Sequence, residues 1–346
     1  MSDRARDQPR PRVGPVPLEK RSQRGQPWNE VCGGHTRTSE PTRQPLAARI
    51  AGDHFGRQVI NVEVLLTDRG LVESPRWHQG RLWFSDWIAG EIVAVDDTGA
   101  SEVMVRHASL PLCFDFLPDG RLALVSNQAR ALLTLEPDGS LAQYADLSVL
   151  SPFGCNDIVI DGLGNAYVNG GNFDFAVGPP KAEIQPGFVA LVTRDGTARL
   201  VAEDIAFPNG MAITPDNRTL VVADSYRHHL IGFDIAADGG LAGRRVWADL
   251  GEDAPDGICL DADGAAWYAD VSHQRCTRVA EGGQVLSTVP LDRGGFACML
   301  SQTDPPYLYI VAARWPGAAA LASHTGWEGQ VLRTAVTIAG AGWPAR

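Results

Sequence analysis

Glu73, Asn156, Asn209 and Asp256 are the residues of this 346-residue chain whose types and placement could do chemistry. Each stands at one phase relative to a tight turn. Glu73 lies seven residues before Gly80, Asn156 eight before Gly164, Asn209 eight before Asn217 and Asp256 eight before Gly264. All four offer side-chain oxygen. Hard divalent cations such as Ca²⁺ take carboxylate and amide-carbonyl oxygens, and two carboxylates match the charge of the ion. The bland alternative is that Asp and Asn merely start strands and turns, where both are common. Any one of the four reads that way; four of six repeats in register do not.

The elements that must position these residues are short β-prone runs separated by turn dipeptides, beginning near Val59. First turns fall at His78-Gln79-Gly80, Pro118-Asp119-Gly120, Gly162-Leu163-Gly164, Pro215-Asp216-Asn217 and Ala262-Asp263-Gly264, with a degenerate sixth at Thr303-Asp304-Pro305. Asp-Gly and Asn-Gly supply the positive φ angles that two-residue hairpin loops require. The clear turns are separated by 40, 44, 53 and 47 residues. Each is followed by an apolar strand such as Leu82-Trp83-Phe84 or Leu308-Tyr309-Ile310-Val311. Six repeats of four-stranded size with almost no helical period predict an all-β fold, a six-bladed β-propeller with a central metal site. The first strand of each blade lines the central channel, so the four oxygen-bearing residues converge on the axis. The same phase in the other repeats holds Cys113 or Phe114, and Ala297 or Cys298, giving the channel an apolar side. Val59–Leu66 precedes the first full unit and is expected to close the ring as the outer strand of the last blade, removing an exposed edge.

Composition bounds the partners. Residues 1–57 carry 11 basic and 6 acidic side chains and no hydrophobic period, which reads as a disordered extension or an upstream start ahead of a propeller domain over 58–346. The remainder carries 19 basic and 35 acidic side chains, an acidic body that repels nucleic acid and anionic membranes. No apolar run reaches membrane-spanning length and no secretory core is present, so a cytoplasmic location is expected. The six cysteines are widely spaced, without CxxC, and read as reduced thiols packed as small apolar groups. There is no GxSxG elbow, HExxH, GxGxxG or P-loop.

At Glu73-Ser74-Pro75-Arg76-Trp77, Asn156-Asp157, Phe207-Pro208-Asn209-Gly210-Met211 and Pro255-Asp256-Gly257 the chain resembles the regucalcin (senescence marker protein)/gluconolactonase family, which includes luciferin-regenerating enzyme and bacterial lactonases. The resemblance covers about residues 60–335. It implies a six-bladed propeller binding one divalent cation, Ca²⁺ first, with Zn²⁺, Mn²⁺ or Mg²⁺ as alternatives. It also implies that Glu73, Asn209 and Asp256 match the family's metal ligands. Asn156 matches an asparagine that contacts substrate and, in some relatives, the ion. One position departs: sugar-lactone hydrolases of the family carry an arginine two residues before that asparagine, where this chain has Gly154. A less hydroxylated lactone is therefore a plausible substrate.

The implied activity is metal-dependent opening of a small lactone to its hydroxy acid. The cation would polarise the carbonyl and lower the pKa of a bound water, with Asp256 as candidate general base and Asn156 orienting carbonyl or water. A phosphotriesterase-like hydrolase and a non-enzymatic cation- or ligand-binding propeller are the alternatives, and strictosidine synthase-like propellers lack the in-register ligands. Loops at the channel mouth supply candidate substrate contacts: Asn172 and Phe173 at the start of a lid running to Pro186, Tyr226, and His273. Asp224 is a candidate supporting group near Asn209, while His228 and His229 read as turn residues. A monomer or homodimer is expected.

Overall fold

The computed structural model describes residues 61–173, 185–317 and 319–342. The expected extension over residues 1–57 and most of the expected lid lie outside them. Six four-stranded antiparallel sheets stand around an axis as the blades of a β-propeller. Their inner strands are Val72–His78, Leu112–Phe116, Asp157–Ile160, Pro208–Ile213, Ile258–Leu260 and Gly294–Leu300, heading blades one to six. In the first five blades strand order follows chain order. The sixth takes its outer strand, Glu63–Arg69, from the other end of the described chain, paired with Glu328–Ala335. That closure is the one expected, shifted a few residues along the chain. All six predicted turns join inner strand to second strand. Among the described residues one short helix, Ala319–Ser323, departs from the all-β pattern.

The apolar strands are explained by where the cores lie. Each of six hydrophobic clusters sits between two neighbouring blades, as with Phe114 and Leu124 against Trp83 and Ile92, or Tyr309 and Val311 against Phe84 and Val93. A strand sandwiched by sheets on both sides buries both faces, so its sequence runs apolar instead of alternating. The second strands Leu122–Ser126 and Ala266–Asp270 are buried throughout.

The axis is stitched from blade to blade. Asp115 Oδ2 accepts from Ile160 N (2.9 Å), and Asp157 Oδ2 from Met211 N (3.2 Å). Gly210 N donates to Asp256 O (3.1 Å), and Gly257 N to Phe296 O (2.8 Å). Arg76 crosses the channel to donate to the Ile158 carbonyl (2.5 Å), with Asp115 at 3.4 Å and Asp157 at 3.6 Å. A buried guanidinium between two carboxylates offsets part of the cost of burying them, although burial still raises both acids above the ordinary carboxylate range.

Candidate active site

Glu73 sits on the first inner strand just before a bulge that interrupts pairing between Glu73 and Arg76. Ser74 there has φ 50°, a conformation rare for a side-chain-bearing residue, and its N–H donates to Glu73 Oε2 at 3.0 Å. The fourth inner strand is irregular at the same phase, between Pro208 and Met211, flanking Asn209. Bulges re-aim side chains, and here they turn the ligand-phase residues toward the axis. Two glycines let the blades approach. A Cβ on Gly210 would meet Gly257 Cα at 2.6 Å, and one on Gly257 would meet Ala297 Cβ at 2.2 Å. Any larger residue would push Asn209 and Asp256 apart.

The four expected residues come together. Asn156 Nδ2 lies 3.4 Å from Asn209 Oδ1 and 3.3 Å from the Pro208 carbonyl. Asn209 also hydrogen-bonds the Asp256 carboxyl, which in turn feels the charge of Glu73. Glu73, Asn156 and Asn209 line one cavity with Trp87, Ala297 and Cys298; its volume of about 20 Å³ suits a single ion or water. Asp256 is 5 % exposed and Asn156 4 %. Burial pushes the Glu73 carboxyl up to about 8, with the Asp157 charge adding and the Ser74 N–H and Arg76 opposing. Burial, then the charge of Glu73, raises Asp256 well above the ordinary carboxylate range. Two dehydrated carboxylates and two amide oxygens at one small cavity are a donor set that fits a hard divalent cation.

Supporting groups from the loops after the second strands, expected at the channel mouth but given no individual role, surround this set. Ser225 Oγ accepts from Asn209 Nδ2 (3.3 Å) and donates to the Pro255 carbonyl (2.6 Å), tying one ligand strand to the residue before Asp256. Asn169 Nδ2 donates to the Asn209 carbonyl (2.6 Å), while its buried Oδ1 has no protein partner. Asn127 grips the turn before Asn156, accepting from Cys155 N and donating to Cys155 O, both at 2.9 Å. Ser225 and Asn127 directly follow the second strands of their blades, a register that could have marked them.

Asp224 supports Asn209 through backbone only. Its two oxygens accept from Ala206 N and Phe207 N at 3.0 Å, fastening the segment ahead of that strand. Asp86 and Asp270 do the same for Gly70 and Ala254. His228 Nδ1 meets the Asp253 carbonyl at 3.1 Å, and His229 lies 4.0 Å from Asp224. His273 Nδ1 is 2.8 Å from Asp270 Oδ2 and 3.6 Å from Asp253. The ligand atoms of Asp253, Asp270 and His273 lie within 4.8 Å of one another, but Arg275 already binds Asp253 in the place of a cation. Of the other expected substrate contacts, Tyr226 stacks on Phe207 (4.9 Å) and Phe173 tilts onto it (5.4 Å). Asn172 donates to the Pro186 carbonyl, closing the base of the expected lid. The five described cysteines are buried and free. Among the described residues no helix is long and apolar enough to cross a membrane.

Comparison with known proteins agrees with this architecture. The chain is 26% identical over 285 residues to a 6-deoxy-6-sulfogluconolactonase of Pseudomonas putida, covering 79% of this chain and 94% of the relative. It is 26% identical over 266 residues to regucalcin of Xenopus laevis, covering 73% and 87%. A solved structure of the calcium-binding protein regucalcin from Agrobacterium tumefaciens superposes with a TM-score of 0.66 at 21% identity, covering 83% of this chain and 97% of that one. The family profile described as SMP-30/Gluconolactonase/LRE-like region matches residues 71–314, and the chain belongs to that family.

Proposed function

We propose that this propeller is a metal-dependent lactonase that opens a small cyclic ester to its hydroxy acid. The observation that carries the reading is that Glu73, Asn156 and Asn209 line one small cavity while the buried Asp256 carboxyl stands beside them, hydrogen-bonded to Asn209. Relatives named as lactonases support the reaction class. Glu73, Asn209 and Asp256 would hold the cation, with Asn156 at its edge. When bound, a divalent cation there supplies Lewis-acid polarisation of the ester carbonyl and lowers the pKa of a coordinated water.

The protein's own part follows from the site. Asn156 presents an amide at the cavity wall, able to orient the carbonyl oxygen or the attacking water. Asp256 is the general base: its carboxylate takes the proton of the water that attacks the carbonyl carbon, and can return it to the departing ring oxygen. Burial and the Glu73 charge raise its basicity, whereas a ligated cation lowers it, so it works between two opposing fields. Asn209 and Ser225 hold that carboxylate in place.

The test uses full-length protein stripped with chelator, reloaded with Ca²⁺, Mn²⁺, Mg²⁺ or Zn²⁺, and assayed by pH-stat on sugar lactones, aliphatic lactones and a phosphotriester. Metal-dependent lactone opening, lost by at least about a hundredfold in Asp256→Asn, is expected. Opening of the phosphotriester alone, or of nothing, overturns the reading.

A further inference from the structure

Oxygen atoms gather at a second position on the channel axis, one step further along the inner strands than Glu73, Asn156 and Asn209. That position is already filled. The Arg76 guanidinium donates to the carbonyls of Pro75 at 2.9 Å and Ile158 at 2.5 Å, with Asp115 Oδ1 at 3.4 Å and Asp157 Oδ1 at 3.6 Å. Two carboxylates and two backbone carbonyls turned on one buried cation are the same oxygen types that a hard divalent ion takes.

Arg76 also divides the channel. It lines the small cavity of the ligand-phase residues and, beyond it, a second cavity of about 130 Å³. Trp77, Val159, Ile213, Leu260 and Leu300 give that second cavity a mainly apolar wall, and among the described residues Asp115 is its one carboxylate. A divalent ion leaving the Glu73 set therefore has one other oxygen-rich place on the axis, and the guanidinium occupies it. A guanidinium does not lose its proton in a protein, so the place stays filled at every working pH. Its anchors belong to the ligand strands themselves. Asp157 follows Asn156, and its other oxygen accepts from Met211 N, two residues past Asn209.

We propose that Arg76 is a positioning residue: standing in for a second cation, it confines the channel's divalent ion to Glu73, Asn209 and Asp256. The inference rests on the metal-site part of the proposed function and explains why the channel takes a single ion. Without the guanidinium, Asp115 and Asp157 would be buried carboxylates with no cation between them, and a divalent ion would be drawn to them.

The experiment strips full-length protein with chelator and titrates it with Ca²⁺ by isothermal calorimetry. Wild type should bind about one ion per chain and Arg76→Ala about two, since the variant frees both carboxylates and both carbonyls and lets water complete the shell. Arg76→Lys should return the count to about one, its ammonium filling the same place. Arg76→Ala combined with Asp115→Asn, which leaves a single carboxylate there, should also bind about one. If metal-free Arg76→Ala does not fold, about 10 mM Ca²⁺ should recover it, because the ion takes over from the guanidinium. A chain that stays unfolded in Ca²⁺ overturns the proposal. So does one ion bound by Arg76→Ala, or two by wild type or Arg76→Lys, and each of these leaves the lactonase reading standing. No ion bound by wild type overturns both the proposal and the metal-dependent reading.

Discussion

Glu73 and Asp256 are acids held where water cannot solvate their charges, and this sets how the site responds to pH. Burial puts Glu73 at about 8 in the folded protein without a cation, against 4.5 ordinarily. Between those values the folded state keeps a proton that the unfolded chain releases, so stability falls as pH rises through that window. Asp256, also raised, adds in the same direction. Chelator-treated protein is expected to lose Tm steadily from about pH 5 to about pH 8.5, measured by differential scanning fluorimetry. Glu73→Gln should flatten the loss, and saturating Ca²⁺ should remove it, because a bound cation favours the ionised carboxylates. A flat profile for the chelated wild type would contradict the buried pair. These residues were legible because type and turn register coincide in four repeats. Ser225 and Asn127 were legible only as members of the mouth loops, not by role: Ser and Asn after a strand are ordinary, and only their contacts across the blades at 2.6 Å and 2.9 Å distinguish them.

At the scale of elements, the inner strands work because they are irregular. The interruptions after Glu73 and Pro208, and a third between Gly295 and Ala297, fall at the phase where side chains must leave the blade face for the axis. Periodicity predicts a strand and not its bulge, so the sequence showed which residues approach the axis without showing how. The turn ahead of Asn156 is the sharpest case. Gly154 combines a left-handed φ with the Asn127 clamp, so Gly154→Ala carries both backbone strain and a steric conflict. Urea unfolding of that variant is expected to show a loss of about 2–3 kcal/mol. Adding Asn127→Ala should relieve the conflict without restoring φ, leaving the double variant less stable than Asn127→Ala alone by about 1 kcal/mol. A Gly154→Ala variant within about 0.5 kcal/mol of wild type would show that this turn is not constrained as described.

The whole molecule is a ring of six interchangeable interfaces, and a ring must be closed somewhere. Closure falls to Glu63–Arg69, which pairs with Glu328–Ala335 across some 270 residues of chain. Its location was legible as a β-prone run left over before the first repeat. Its register was not: the pairing slips between Val64 and Leu66 and again before Arg69, and a strand with no fully buried position leaves little hydrophobic signal. The strand contributes Leu65 and Leu66 to the core between blades six and one, and Glu63 to an ion pair with Arg333 at 2.9 Å. Its greater effect is to cover the backbone of the strand beside it. Without it, Glu328–Ala335 becomes an open edge whose N–H and C=O groups can pair with another copy. Blade six, which supplies Ala297 and Cys298 to the cavity, would then be held only by its contacts with blades five and one. A chain beginning at Gly70 is therefore expected to unfold at a Tm lower by at least about 5 °C. It should also elute from size exclusion as concentration-dependent higher-order species, and Arg333→Pro, placed on that edge, should reduce the association. Monomeric elution with an unchanged Tm would mean that the ring closes without its outermost strand.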